Sequence, residues 1–416
     1  MGYRENKKES FIAQARGKKV ICFGTGKIFC EFLELVEHSD ITISYACDNN
    51  EKKWGQLIAC GSESITVVSP KKLLDENIQN VVILITCAQV REVYQQLREM
   101  RIDEDNIYAF PFLGDMAGDA QKMYYSRIAE PARVMLNTYL CDFQMASEQK
   151  EMYVSRVESL LAKRSLILPY MTLLITSQCT LRCRDCNNLI PFCNGGRMLE
   201  TKQILSDLSA VSKSVECCIC VNITGGEPFL HPDFGTILRE VTSYENFLFV
   251  EVITNGTILP KAEWMEYLRH PKVVVKVSEY PGYTKTDELE DYFKKYNVFF
   301  QIRPDLQWVT SGGIKRRNKQ YEQIVNEYLR CWSGKYCKSV WDGRLYACAR
   351  AAFLHDIKAT NHVSDYVELH SGRLKEELMN HMLAAYADAC DFCDHMSPLG
   401  KSVKAAIQEP INVFKV

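Results

Sequence analysis

Residues 171–186 read MTLLITSQCTLRCRDC. The first six are an apolar run of strand length. Three cysteines follow at once, as Cys179-Thr-Leu-Arg-Cys183-Arg-Asp-Cys186. Three thiolates within eight residues converge on one point only if they bind something there. A closed structural zinc site takes four ligands, whereas three suit a [4Fe–4S] cubane with one iron left open. The alternative is a zinc site of three or four thiolates that recruits Cys193.

Working outward, strand-like runs at 171–176, 218–224, 247–254, 273–278 and 298–303 alternate with helical patterns such as 201–213 and 261–269. That alternation predicts a parallel sheet, a β/α barrel whole or partial, over residues 166–330. Three of the strands end in polar or glycine-rich turns: Gly225-Gly226-Glu227-Pro228, Thr254-Asn255-Gly256-Thr257 and Ser278-Glu279-Tyr280. Such strand ends are where β/α barrels build their sites.

The C-x3-C-x2-C spacing, with Gly-Gly-Glu-Pro after the second strand and the two later strand ends, resembles the radical SAM superfamily. The resemblance implies a partial (β/α)6 barrel whose open iron chelates S-adenosylmethionine. Reductive cleavage would give methionine and a 5′-deoxyadenosyl radical that takes hydrogen from substrate. It implies Cys179, Cys183 and Cys186 as cluster ligands. Gly225, Gly226, Glu227 and Pro228 would then lie at the methionine end, and Asn255 and Ser278 would contact ribose or carboxylate. It also implies an external one-electron reductant such as flavodoxin or ferredoxin. The residue before the third cysteine, often aromatic in the family, is Asp185 here, which leaves the adenine contact to another residue.

Residues 331–416 hold Cys331, Cys337, Cys348, Cys390 and Cys393. The stretch 340–346 reads as a hairpin with an Asp342-Gly343 turn. The order Cys331, Gly343, Cys348, Cys390-x-x-Cys393 resembles the twitch or SPASM auxiliary-cluster modules of radical SAM enzymes. It implies a small C-terminal domain with a second [4Fe–4S] cluster on Cys331, Cys348, Cys390 and Cys393. Cys337 competes with Cys331 as the fourth ligand; left over, it is a candidate hydrogen-donor thiol. A zinc knuckle is the alternative. Adjacent residues of a strand face opposite sides, so Cys217 and Cys218 read as strand interior with Cys220. Cys22, Cys30, Cys47, Cys60, Cys87 and Cys141 are read as core.

Residues 1–115 predict a small α/β domain with strands at 18–23, 43–47 and 81–86, a helical pattern with Ile28, Phe29, Phe32, Leu33 and Val36 on one side, and a helix at about 90–100. Gly24-Thr25-Gly26 between strand and helix places backbone N–H groups at a helix N-terminus, a ready anion site. Asp48, at the end of the next strand, stands where a ribose ligand would. Phe29 replaces the third glycine of the dinucleotide fingerprint. The run CDNNEKKWGQ at 47–56 resembles the Rossmann-like domains attached to sugar-modifying and glycan-assembly enzymes, which implies a nucleotide or nucleotide-sugar site at Gly24, Gly26 and Asp48. The alternative is a docking domain with an empty pocket. A helical linker, with Pro131 starting or kinking a helix, is expected at 116–165.

With 416 residues, two or three domains are expected. Lys plus Arg number 50 and Asp plus Glu 52, a net charge of −2, so a broad basic face for nucleic acid is excluded. No apolar run reaches transmembrane length, and the charged start MGYRENKKES carries no apolar signal segment. The expectation is a cytoplasmic protein in which 18 cysteines serve as ligands or core residues rather than disulfides. The functional expectation is a radical SAM oxidoreductase or epimerase that acts on a sugar, sugar nucleotide or aminocyclitol. A peptide maturase and a non-catalytic iron–sulfur electron carrier or scaffold are the alternatives.

Overall fold

A computed structural model describes residues 8–36, 41–60, 63–87, 90–110, 119–143, 145–163, 165–304, 307–384, 386–395 and 400–409. The expected boundary at 115 and the Cys60 side chain lie outside the described set. The chain divides into two compact units, Met1–Met123 and Tyr124–Val416.

In the first unit, β1 (Lys19–Phe23), β2 (Ile43–Cys47), β3 (Leu57–Cys60), β4 (Glu63–Val68), β5 (Val81–Ile85) and β6 (Ile107–Ala109) form one sheet in the order β3-β4-β2-β1-β5-β6. All neighbours are parallel except the β3–β4 hairpin. β5 is buried at every position, as a strand covered on both faces must be. The chain reverses direction across the sheet at β1, so the Gly24 turn sits at the switch point where open α/β sheets leave a crevice. Phe29 and Phe32 of the helix Lys27–Val36 are fully buried against this sheet.

The second unit opens with the helices Asp119–Asp142 and Ser147–Ala162. Pro131 lies inside the first of them rather than starting it. Its sheet contains β7 (Ile167–Thr176), β8 (Cys217–Gly225), β9 (Phe247–Thr254), β10 (Val273–Ser278) and β11 (Phe300–Arg303). Separately, β12 (Gln307–Val309) pairs antiparallel with a late strand, β16 (Ser402–Lys404). The sheet continues through β13 (Cys337–Trp341), β14 (Arg344–Tyr346) and β15 (Tyr366–Glu368), in the order β11-β10-β9-β8-β7-β13-β14-β15.

Two differences from expectation stand out. Five strands, not six, come from successive β/α repeats; the sixth parallel strand is β13, which pairs with β7 at the other edge. The strands β13, β14 and β15 of the C-terminal cysteine segment therefore extend the barrel sheet. Its hairpin is as expected: Asp342 and Gly343 have φ of 49° and 80°, the pair of positive angles that a two-residue turn demands. Cys22, Cys47, Cys217, Cys218 and Cys220 are buried, but Cys30 and Cys141 are exposed and Cys87 is half-buried, so the core reading fails for those three. Among the described residues no helix is long and apolar enough to cross a membrane.

Candidate functional site

The loop after β7 is built by close backbone approach. Gly226 N donates to Thr176 O at 2.7 Å and Glu227 N to Gln178 O at 2.8 Å. A Cβ on Gly225 would lie 2.0 Å from Thr176 O, and one on Gly226 would lie 1.9 Å from Gln178 O. Both glycines are therefore demanded by the chain's own backbone: any side chain would push the Cys179 loop off the end of β8. Glu227 is 0% exposed and accepts from Thr254 Oγ1 at 2.8 Å, Asn255 N at 2.9 Å and Phe229 N at 3.2 Å. Burial pushes its carboxyl up to about 7 even so. It locks the end of β9 to the end of β8. Pro228 opens a buried 3-10 turn behind it.

Cys179, Cys183 and Cys186 lie within electrostatic reach of one another. Burial pushes the Cys179 thiol up to about 12 and that of Cys183 to about 11. Donors are aimed at the sulfurs. Asn255 Nδ2 reaches Cys179 Sγ at 3.4 Å, Leu181 N reaches it at 3.5 Å, and Gln408 Nε2 reaches Cys183 Sγ at 3.3 Å. Buried or half-buried thiols with N–H donors aimed at them suit thiolate ligands of an iron–sulfur cluster, whose sulfurs accept such bonds. Among the described residues no three His, Cys, Asp or Glu side chains converge on a single-ion site. A cubane spreads its ligands over separate irons and does not ask them to meet at one point. Cys193 Sγ donates to Leu189 O at 3.4 Å.

Asn255 thus stands beside the cysteine loop, with Thr180 Oγ1 3.0 Å from its Nδ2. Ser278 is buried at the end of β10. Next to it, Tyr280 lies within electrostatic reach of Cys183 and Cys186 and meets Trp308 edge-on at 5.8 Å. The sequence did not reveal Gln408. Its segment runs back along the cysteine loop, with Arg184 N on Ile407 O at 2.8 Å and Arg182 N on Gln408 Oε1 at 2.7 Å. No local signal could have found a contact spanning more than two hundred residues. Asn188, two residues past Cys186, donates to Gly225 O at 2.7 Å and was equally missed.

The second cysteine set also comes together. Cys331, Cys348, Cys390 and Cys393 are all within mutual electrostatic reach. Cys337 reaches Cys331 and Cys348. Burial pushes the thiols of Cys337 and Cys348 up to about 12.

The barrel sheet also carries a polar row. The register aligns Ser339, Thr172, Asn222 and Glu251 side by side on β13, β7, β8 and β9, all buried. Laterally paired residues share a face, so Cys337, Lys276, Ser278 and Arg303 stand on that face too. Glu251 is satisfied by Tyr139, Tyr170 and Lys276, at 2.6, 3.0 and 2.8 Å. Among the described residues, Asn222 Oδ1, Ser339 Oγ and Arg303 Nε are buried without a partner. One polar residue in each otherwise apolar strand run, Asn222, Glu251 and Lys276, was the available signal.

In the first unit Asp48 departs from expectation. Its Oδ2 accepts from Thr25 N at 3.0 Å, from Thr25 Oγ1 at 2.5 Å and from Lys53 Nζ at 2.8 Å; Oδ1 accepts from Asn50 N at 2.9 Å. The carboxylate latches the glycine turn to the chain after β2, so it does not stand open for a ribose. A Cβ on Gly24 would lie 2.5 Å from Cys87 Cβ, while Gly26 faces open space.

Residues 173–278 match the family model of the Radical SAM superfamily. That span runs from inside β7 to the last residue of β10 and holds Cys179, Cys183, Cys186, the Gly225–Pro228 turn and Asn255. The match is to a radical SAM domain. The chain is 35% identical over 97 residues to GTP 3′,8-cyclase of Lactiplantibacillus plantarum, covering 22% of this chain and 28% of that protein. It is 30% identical over 94 residues to molybdenum cofactor biosynthesis protein 1 of Homo sapiens, covering 22% and 14%. The chain spans less than a third of the length of these curated relatives. Among solved structures, it is similar to BtrN in complex with AdoMet and 2-DOIA, at 16% identity and a TM-score of 0.37, over 55% of this chain and 94% of that one.

Proposed function

We propose that this protein is an enzyme that reductively cleaves S-adenosylmethionine and abstracts hydrogen from a carbon of a sugar, sugar nucleotide or aminocyclitol, ending in epimerisation or dehydrogenation. The observation that carries the reading is the position of the polar row. Cys179, Cys183 and Cys186 follow Thr176, whereas Cys337 pairs with Tyr170, about 20 Å back along β7. Thr172, Asn222 and Ser339 lie between these levels. A face with unpartnered amide, hydroxyl and guanidinium atoms suits a ligand rich in hydroxyl groups, since buried polar groups ask for partners.

Cys179, Cys183 and Cys186 would hold a [4Fe–4S] cluster, which would supply the electron that splits S-adenosylmethionine. The chain's residues do the rest. Gly225, Gly226 and Glu227 hold the strand ends in register, and Asn255 and Ser278 stand where they can orient the bound S-adenosylmethionine. Cys337 shares the face of the polar row, and its thiol can give a hydrogen atom to a substrate carbon radical, which gives epimerisation; the sulfur radical left behind takes back an electron from the external reductant and a proton from solvent. Cys331, Cys348, Cys390 and Cys393 would hold a second cluster, which would supply an electron acceptor for the alternative outcome, dehydrogenation, in which the substrate radical gives up an electron and a proton. A small electron-transfer protein such as flavodoxin or ferredoxin supplies the reducing electron.

The test is anaerobic reconstitution followed by incubation with reductant, S-adenosylmethionine and a panel of sugars, nucleotide sugars and aminocyclitols. Formation of 5′-deoxyadenosine that depends on one of them supports the reading, and the variant with Cys179, Cys183 and Cys186 all changed to Ala must form none. Cleavage that persists in that variant refutes the cluster assignment. Turnover of a peptide, with none of the panel, moves the protein to the peptide maturases.

A further inference from the structure

The helix Ala349–Asp356 begins at its N-cap Cys348 and carries Arg350 in its first turn, 1% exposed. Arg350 Nη2 donates to Gly313 O at 2.6 Å and to Phe392 O at 3.1 Å, and Phe392 immediately precedes Cys393. Its Nε and Nη1 are buried and, among the described residues, have no acceptor. A guanidinium stays protonated and presents five donors, so most of this cation's N–H bonds point into the interior with nothing to receive them. Folded proteins do not keep a buried charge in that condition unless an anion fills the place.

The electrostatic neighbours of the guanidinium are the thiols of Cys393 and Cys348, the Asp394 carboxylate and, beyond them, Cys186. Asp394 is already held by Arg317, at 3.0 and 2.6 Å. That leaves the sulfurs. A second cation stands near the same cysteine set. Lys338 is 0% exposed, and its Nζ donates to Gly334 O at 2.6 Å and to Tyr328 Oη at 3.2 Å. It lies within electrostatic reach of Cys331, Cys337, Cys348 and Cys390, and among the described residues no carboxylate pairs with it.

We propose that Arg350 donates through Nε and Nη1 to the sulfurs of a cluster held by Cys331, Cys348, Cys390 and Cys393, and that Arg350 and Lys338 together hold that cluster's reduction potential up. The inference rests on reading this cysteine set as a cluster site. An oxidised cubane on four thiolates carries a double negative charge, which the two cations cancel. Net charge and hydrogen bonds to sulfur are among the quantities that set the potential of such a centre. Adding an electron beside two buried cations is easier than adding it beside none. Arg350 also senses Cys186, so the first cluster feels the same charge from further away.

The experiment is anaerobic reconstitution of the full chain, iron and zinc analysis, and a redox titration followed by electron paramagnetic resonance. It compares the wild type with Arg350→Gln, Arg350→Lys and Lys338→Met. The wild type holds about eight irons in two cubanes. Arg350→Gln keeps both clusters but makes the second harder to reduce, by tenfold or more in its reduction equilibrium, which is about 59 mV for one electron. The first cluster moves less. Arg350→Lys falls between, because it keeps the charge and loses the fork. An unmoved second potential in Arg350→Gln at full iron content overturns the proposal. If that variant cannot assemble the second cluster, Arg350→Lys and Lys338→Met decide, and unmoved potentials in both overturn it. A wild type with about four irons and zinc in the second site overturns the cluster reading itself, whatever Arg350 does.

Discussion

Changing Gly226 to Ala tests how the candidate site is held. The added Cβ would lie 1.9 Å from Gln178 O, where ordinary contact begins at 3.4 Å, so about 1.5 Å of separation must open. The Glu227 N to Gln178 O bond, 2.8 Å long, would stretch past hydrogen-bonding range, and the Gly226 N to Thr176 O bond would be strained with it. Losing two buried backbone bonds costs about 2 kcal/mol, and overpacking adds about 1–3 kcal/mol. The expected total is a loss of about 3–5 kcal/mol. The displaced element is the loop that carries Cys179, and a misplacement near 1 Å at a reacting centre costs about 100-fold in rate. Denaturant unfolding of the cluster-free chain reads the stability, and 5′-deoxyadenosine formation after reconstitution reads the site. Gly313→Ala is the control, since a Cβ there meets nothing within 4 Å. If Gly226→Ala unfolds within about 0.5 kcal/mol of the wild type and cleaves S-adenosylmethionine at full rate, the close approach does not hold this loop.

Asp48→Ala should cost the first unit about 1–3 kcal/mol by orphaning the Thr25, Asn50 and Lys53 donors, read by denaturant unfolding. Burial alone would raise the Asp48 carboxyl, but hydrogen bonds from Lys53, Thr25 and Asn50 bring it below its ordinary 3.8; its contribution is present above that pH and is lost as pH falls through the lower folded value. Glu227 has the opposite sign. Burial raises it from 4.5 to about 7, so its contribution is full below 4.5 and is lost as pH rises through 7, by about 3 kcal/mol. The cluster-free chain should lose that much between pH 4.5 and 8 relative to Glu227→Gln, and parallel pH profiles would refute the assignment. Cys331→Ala should lose the second cluster and Cys337→Ala should keep it, as judged by iron content; the reverse pattern would exchange the two residues' roles.

The strand–helix alternation, the first three cysteines and the Gly-Gly-Glu-Pro turn were legible because each depends on residues close together in sequence. Periodicity reports the burial of a single element, and a loop that gathers three thiols writes all of them within one turn of chain. The Asp342-Gly343 hairpin was legible for the same reason, since only its two central residues set the turn. The purpose of Gly225 and Gly226 was not. The sequence marks a place where a side chain would collide, and only the fold shows that the colliding atoms are the backbone of residues 176 and 178. Asp48 stands where a ribose ligand is expected, yet Lys53 and Thr25 occupy its carboxylate, because hydrogen-bond partners are chosen in space. Whether β13 joins the barrel sheet, whether Gln408 reaches Cys183, and that Ser339, Thr172, Asn222 and Glu251 form one row are matters of register between distant segments. Strand pairing leaves little trace in either strand alone. The local chemistry of this protein is carried by its sequence, and the tertiary structure alone decides what stands beside that chemistry, including the buried Arg350 beside its second set of cysteines.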